Sequence, residues 1–199
     1  MICAIVLAAG RSQRMGANKL LLPFAGSSVI ARVVDAHLGA PAASVIVVVR
    51  PRDSRLREAL GGRRVVFVEN PDAGGDMLSS LRCGLRALPV SAETVVVSPA
   101  DQPSLEPGLV RRMLAAFHER GAGILVPVHE GRRGHPVVFA ARYQNELLTS
   151  HDGIGLRGLL QHHAAAVIEW PTADAAVRED LDTPADYELA RASQFAPYV

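Results

Sequence analysis

Lys19 is the only lysine among 21 basic side chains, and it closes a turn rich in small residues, Leu7-Ala8-Ala9-Gly10-Arg11-Ser12-Gln13-Arg14-Met15-Gly16-Ala17-Asn18-Lys19. Small side chains and glycines let a backbone come close to an anion. Free N–H groups in a tight turn after a strand then point at it, and Arg11, Arg14 and Lys19 supply charge. The turn follows an apolar run, Ile2 to Val6, that reads as a strand. The chemistry expected here is phosphate binding; the alternative is a solvated surface turn. Arginine elsewhere and one lysine here suits a site that needs a compact ammonium.

Carboxylates form the second group. Asp101, in Val97-Ser98-Pro99-Ala100-Asp101-Gln102-Pro103, follows a very apolar run and lies between two prolines that stiffen the turn. Oxygen donors held in this way suit magnesium, a hard cation that shares its sphere with phosphates. The alternative is a turn or cap aspartate. Asp180 and Asp182 alternate, so an extended segment puts them on one side. One could complete a metal site with Asp101 while the other caps or buttresses. Acidity at the start of the last helix is the competing account, and it suits Asp186 better than Asp180.

Two further segments carry polar groups at element ends. Asp76, Ser79 and Ser80 stand at a helix start, where hydroxyls can meet a base edge or a phosphate, or simply cap the helix. His135, in Gly131-Arg132-Arg133-Gly134-His135-Pro136, could contact substrate, act as an acid or base, or serve as a structural hydrogen bonder; substrate contact is the favoured reading. His162-His163 has no partner ligands at metal spacing and reads as a surface pair at a helix end. Trp170 reads as packing.

The elements that must position these groups alternate along the chain. Strands are expected at 2–7, 44–49, 64–68, 94–98, 123–127 and 136–139, with a weaker one at 166–170. Helices are expected at 28–38, 54–60, 77–88, 107–120, 142–148, 155–162 and 184–193. The strands are rich in Val and Ile without clean alternation, as expected of strands covered on both faces. The fold class is therefore α/β, a mainly parallel sheet with helices on both faces. Right-handed crossovers gather the loops after the strands along one edge, where such sheets bind ligands. The 199 residues read as one domain, with 131–158 a possible insertion over the site.

Bulk properties narrow the partners. With 21 basic and 20 acidic residues the net charge is +1, so there is no global field for nucleic acid or an anionic membrane. No apolar run reaches the roughly 20 residues of a membrane helix. The two cysteines read as buried thiols of a reducing compartment, and the expected location is cytoplasmic.

Together the segments resemble the molybdenum-cofactor nucleotidyltransferase-like family, most closely its molybdopterin cytidylyltransferase branch. The likeness runs from Ile5 to Tyr187. It is carried by Leu7-Ala8-Ala9-Gly10, Arg14-Met15-Gly16, Lys19 to Pro23, Ser79-Ser80-Leu81 with Gly84-Leu85, Ala100-Asp101-Gln102-Pro103, Gly134-His135-Pro136-Val137 and Asp182-Thr183-Pro184. The resemblance implies an α/β domain of the nucleotide-diphospho-sugar transferase type. It implies transfer of a nucleotidyl group from a triphosphate to a phosphate on the pterin cofactor, with release of pyrophosphate.

By the same resemblance Arg14 and Lys19 hold the triphosphate, Asp101 is the principal magnesium ligand, Asp182 completes the metal site, and Ser80 contacts the base. The Ala8-Ala9-Gly10 form looks like the pyrimidine-using branch, so CTP is favoured over GTP. Family members often have glycine before the methionine that matches Met77; here Asp76 stands there. Aspartate near a triphosphate repels it unless metal-bound or turned away. The expected partners are an NTP, molybdopterin, and a molybdenum enzyme or its maturation factor. Two other readings are an NAD(P)H-dependent quinone or pigment reductase on the same scaffold and a non-catalytic chaperone that delivers the cofactor. The first lacks a dinucleotide fingerprint.

Overall fold

A computed structural model describes residues 1–10, 18–72 and 76–193. Its strands are β1 (Ile2–Leu7), β2 (Pro23–Phe24), β3 (Ser27–Ser28), β4 (Ser44–Val49), β5 (Val66–Glu69), β6 (Thr94–Pro99), β7 (Ile124–His129), β8 (Arg132–Arg133), β9 (Val137–Ala140) and β10 (Val167–Pro171). Its α-helices are α1 (Val29–Leu38), α2 (Ser54–Ala59), α3 (Met77–Arg86), α4 (Pro107–Glu119), α5 (Gln144–Thr149), α6 (Leu156–His162) and α7 (Pro184–Ser193). Every strand and helix expected from the sequence is present; β2, β3 and β8 are two-residue additions.

The main sheet runs β10-β7-β9-β6-β1-β4-β5, with β8 paired to β7. Four pairings are parallel, β1–β4, β1–β6, β4–β5 and β7–β10. β9 lies antiparallel between β6 and β7, and β8 pairs antiparallel with β7.

The even spread of apolar residues along the strands now has a cause. In β1, Ala4 and Val6 join one core and Ile5 the other; in β4, Val45, Val47 and Val49 divide from Ile46 and Val48 in the same way. Side chains alternate across a strand, so a strand buried on both faces needs apolar residues at every position. The first core also takes in α1, α4 and α7, and the second takes in α3, α5 and α6. Gly84 in α3 permits a close approach of helix to sheet: a Cβ there would lie 2.6 Å from Ile5 Cγ2 and 3.2 Å from Val48 Cγ2.

Register sets up the site. Leu7 stands opposite Pro99, and Ala100 N–H donates to Leu7 C=O at 3.2 Å. The turns that leave β1 and β6 therefore emerge side by side at one edge of the sheet. Among the described residues no helix is long and apolar enough to cross a membrane.

Candidate active site

Lys19 is the first residue of a short 3₁₀ turn, Lys19–Leu21, capped by Asn18, whose side-chain oxygen accepts from Leu20 N–H at 3.3 Å. Leu20 is buried in the first core and anchors the turn. The next segment is held by Val29 N–H to Leu22 C=O at 3.0 Å and by Tyr187 Oη to Pro23 C=O at 2.6 Å. With its backbone so fixed, Lys19 directs its ammonium at two carboxylates. Nζ lies 2.5 Å from Asp101 Oδ2 and 3.5 Å from Asp182 Oδ1. Residues 82 and 163 apart in sequence from Lys19 thus share one charge. The Lys19 and Asp101 side chains are only 12% and 18% exposed, so this contact is far less screened than a surface ion pair.

The carboxylates are placed by their own turns. Leu181 N–H donates to Asp101 C=O at 3.0 Å, tying the 180s segment to the end of β6. Thr183 N–H and Oγ1 donate to Asp186 Oδ2 at 2.7 and 2.8 Å, and Asp186 N–H donates to Thr183 Oγ1 at 3.2 Å. This reciprocal cap starts α7 and also catches Asp182 N–H at 3.2 Å. Asp186 is thereby the capping acid, and Asp182 is the one that reaches Lys19. Asp180 takes a third path: fully buried Gln102 donates to its Oδ1 at 2.8 Å. Burial pushes the Asp180 carboxyl up to about 6; the negative charges of Asp101 and Asp182 add to the rise, and the Gln102 hydrogen bond and Lys19 oppose it.

A divalent cation fits these groups. Asp101 Oδ1 is buried with no hydrogen-bond partner among the described residues, an arrangement that costs free energy unless something occupies that lone pair. The donor set is all carboxylate oxygen, the preference of magnesium and manganese.

The expected phosphate turn is described only at its start. Ala8 is buried and its N–H donates to Val48 C=O at 2.8 Å. Arg50, just beyond β4, donates Nε to Ala9 C=O at 3.2 Å and Nη2 to Gly10 C=O. The sequence reading missed this clamp, because an arginine after a strand has no local signature. Leu7 ends β1 and Gly10 is exposed. Arg11, Ser12 and Arg14 lie outside the described residues.

Ser79 and Ser80 meet at a shared donor. Asn70 Nδ2 donates to Ser79 Oγ at 2.8 Å and to Ser80 Oγ at 3.0 Å. Asp76 caps α3: its Oδ1 accepts from Ser79 N–H at 2.9 Å, and its backbone C=O accepts from Ser79 Oγ at 3.0 Å. Capping gives the unusual aspartate a local reason to be there.

His135 is half-buried, and burial pushes its pKa down, with Asp101 opposing. Its ring is therefore neutral near pH 7. The His135 backbone N–H donates to Val177 C=O at 2.7 Å, and its ring Nδ1 has no hydrogen-bond partner among the described residues. His135 also lines a pocket of about 460 Å³, together with Asp76, Met77, Arg133, Leu156 and Arg157. The pocket lies between the start of α3 and the start of α6. The chemistry available is thus a carboxylate pair for a cation, a buried ammonium, and an adjoining pocket with apolar walls and two arginines.

The expectation for His162-His163 is corrected. Glu146 and His151, too distant in sequence to suggest a cluster, converge on the pair; Glu146 Oε2 lies 2.6 Å from His163 Nε2.

A family profile described as "MobA-like NTP transferase domain" matches residues 4–167. The molybdenum cofactor cytidylyltransferase of Escherichia coli K12 is 26% identical over 193 residues, covering 96% of this chain and 95% of that one. The 2-C-methyl-D-erythritol 4-phosphate cytidylyltransferase of Prochlorococcus marinus MIT 9313 is 31% identical, covering 90% and 85%. The structure of Rv0371C from Mycobacterium tuberculosis H37Rv in complex with manganese superposes with a TM-score of 0.78 at 30% identity, covering 96% and 98%. The architecture is that of the nucleotidyltransferases, as the resemblance in the sequence implied.

Proposed function

We propose, from the premise that this chain belongs to the MobA-like NTP transferase domain family, that it moves a nucleotidyl group, CMP by preference, from a nucleoside triphosphate to a phosphorylated acceptor, and that the acceptor is molybdopterin. Nucleotidyl transfer is the activity of the family. The single observation that carries the reading to this site is the Lys19 ammonium held between Asp101 and Asp182 at the edge where β1 and β6 end. The choice of CTP and of the pterin rests on the Ala8-Ala9-Gly10 form and on the full-length likeness to the Escherichia coli cytidylyltransferase.

An acceptor phosphate oxygen attacks the α-phosphorus in line. The new P–O bond forms as the bond to the β-phosphate breaks, and pyrophosphate leaves with the electron pair. Asp101 and Asp182 would hold magnesium, which when bound draws charge from the phosphate oxygens. Lys19, with Arg14 and Arg11, neutralises the triphosphate and the departing pyrophosphate. Catalysis is then positioning plus charge stabilisation by groups already in place. Gln102 fixes Asp180 behind this pair, so the third carboxylate buttresses the site from the side.

Ser79 and Ser80 face the nucleotide, and Asn70 orients both hydroxyls for it. The acceptor enters the pocket beside His135. Its walls from Met77, Leu78, Ile154 and Leu156 suit a flat ring system, and Arg133 and Arg157 suit a phosphate on that ring. Asp76 turns its carboxylate into the α3 cap, which relieves its repulsion of bound phosphate. The domain spans 1–199, acts in the cytoplasm, and hands its product to a molybdenum enzyme or its maturation factor.

The test is pyrophosphate release with magnesium and molybdopterin, CTP against GTP, UTP and ATP. Release that needs both CTP and the pterin supports the reading. Release only with another phosphorylated acceptor, such as 2-C-methyl-D-erythritol 4-phosphate, keeps nucleotidyl transfer and rejects the pterin. Oxidation of NAD(P)H with a quinone, and no pyrophosphate from any NTP, rejects both.

A further inference from the structure

We infer that Glu146, His151 and His162, with His163 on the other carboxylate oxygen, form a second metal site, for a divalent transition metal of the zinc class, away from the carboxylates that face the nucleotide. The four residues come from α5, the loop after it, and the end of α6. Glu146 Oε1 lies 2.7 Å from His151 Nε2 and 2.8 Å from His162 Nδ1, and Oε2 lies 2.6 Å from His163 Nε2. The ligand atoms of Glu146, His151 and His162 all fall within 4.8 Å of one another. Three imidazole nitrogens around one carboxylate are more than a single ion pair needs. Nitrogen and oxygen are donors that zinc takes, and Glu146, His151 and His162 supply three of them.

The surrounding structure holds these rings in place. A Cβ on Gly158 would lie 2.5 Å from His151 Nδ1, so only glycine leaves that ring its position. The His163 ring packs on Tyr143 with centroids 4.7 Å apart.

The nitrogens that now face Glu146 would turn lone pairs to the cation, each imidazole carrying its proton on the other nitrogen. Oxygen–nitrogen separations would open to about 3.3 Å, the edge of a tetrahedron with bonds of about 2.0 Å. His162, 66% exposed, has room for that movement and leaves a way in from solvent.

The position gives the cation something to control. Leu156 and Arg157, at the other end of α6, line the pocket beside His135. Arg82 of α3 donates to Leu147 C=O and Ser150 C=O at 2.9 Å each, which ties this lobe to the helix that caps with Asp76. A cation on the cluster would pin α6, and with it one wall of the pocket.

The experiment uses the full chain stripped with a chelator, in an Asp101→Asn background that disables the oxygen site. Zinc and cobalt(II) are titrated by calorimetry, visible absorption and thermal melting. One equivalent of zinc should bind, cobalt should give the intense visible bands of a tetrahedral site, and the melting temperature should climb with zinc concentration. Magnesium in excess should not compete. His162→Ala, a change at an exposed residue, should keep the native circular dichroism and weaken zinc by more than 10-fold, about the loss that even an outer-shell partner can cause. Glu146→Gln should do the same. No stoichiometric zinc in the Asp101→Asn chain would overturn the inference, as would unchanged affinity in a folded His162→Ala chain.

Discussion

Lys19, Asp101 and Asp182 hold the charge at the end of β6. Removing a charge-stabilising group of this kind costs about 10²–10³ in rate. Lys19→Ala and Asp101→Ala are each expected to lose turnover on that scale while keeping a native melting transition, and steady-state pyrophosphate release checks both. Lys19→Arg is expected to fail as well. The ammonium is largely buried, 2.5 and 3.5 Å from its two acids, and a planar guanidinium does not reproduce that compact contact. A Lys19→Arg chain with wild-type turnover would mean that any positive charge near the turn suffices. The sequence drew attention to this trio through residue type and turn context, since a lone lysine and prolines around an aspartate are local facts. Spacing alone left open which of Asp180 and Asp182 would join Asp101, because alternation puts both on one side of an extended segment, and only the family resemblance named Asp182. In the structure Gln102 reaches Asp180 across 78 residues of sequence, and Asp182 is the acid that reaches Lys19.

Elements bring these residues together, and glycines set how closely. Gly84→Ala would place a methyl 2.6 Å from Ile5 Cγ2, and overpacking of this sort costs about 1–3 kcal/mol; urea unfolding should show the loss. At Gly134 a Cβ would meet Val177 C=O at 2.1 Å, and the next residue, His135, donates its N–H to that same carbonyl. Gly134→Ala should therefore move His135 and raise KM for the acceptor more than for the nucleotide, which kinetics with each substrate varied in turn would detect. Strand and helix positions were legible because β1, β4 and β6 are unbroken apolar runs flanked by Gly, Pro and Asp. The direction of β9 was not. Its residues, Val137 to Ala140, have the same composition as a parallel strand, and only its pairing with both β6 and β7 reveals that it runs backwards. The histidine cluster was illegible for a related reason: Glu146 and His163 meet only because α5 and α6 fold back on each other.

At the scale of the whole molecule, stability and function meet along β6. His37 of α1 is fully buried and hydrogen-bonds Ser98 at 2.8 Å, three residues before Asp101. Burial pushes its pKa from 6.5 down to about 4. Between those values the unfolded chain binds the proton and the folded chain does not. Stability from this group is therefore complete above pH 6.5, falls as the pH drops, and levels off near 4, with a slope of up to about 1.4 kcal/mol per pH unit. His37→Gln should flatten that fall, so the stability gap between wild type and variant should narrow on acidification; denaturant unfolding at pH 7.5 and 4.5 would show it. The central claim, that this chain transfers a nucleotidyl group at the Lys19–Asp101–Asp182 site, is tested most directly by one assay: pyrophosphate released from CTP by wild type and Asp101→Ala, with magnesium and molybdopterin present. The wild type should turn over, and the variant should lose about 10²–10³ in rate. Equal pyrophosphate release from the two proteins would contradict it.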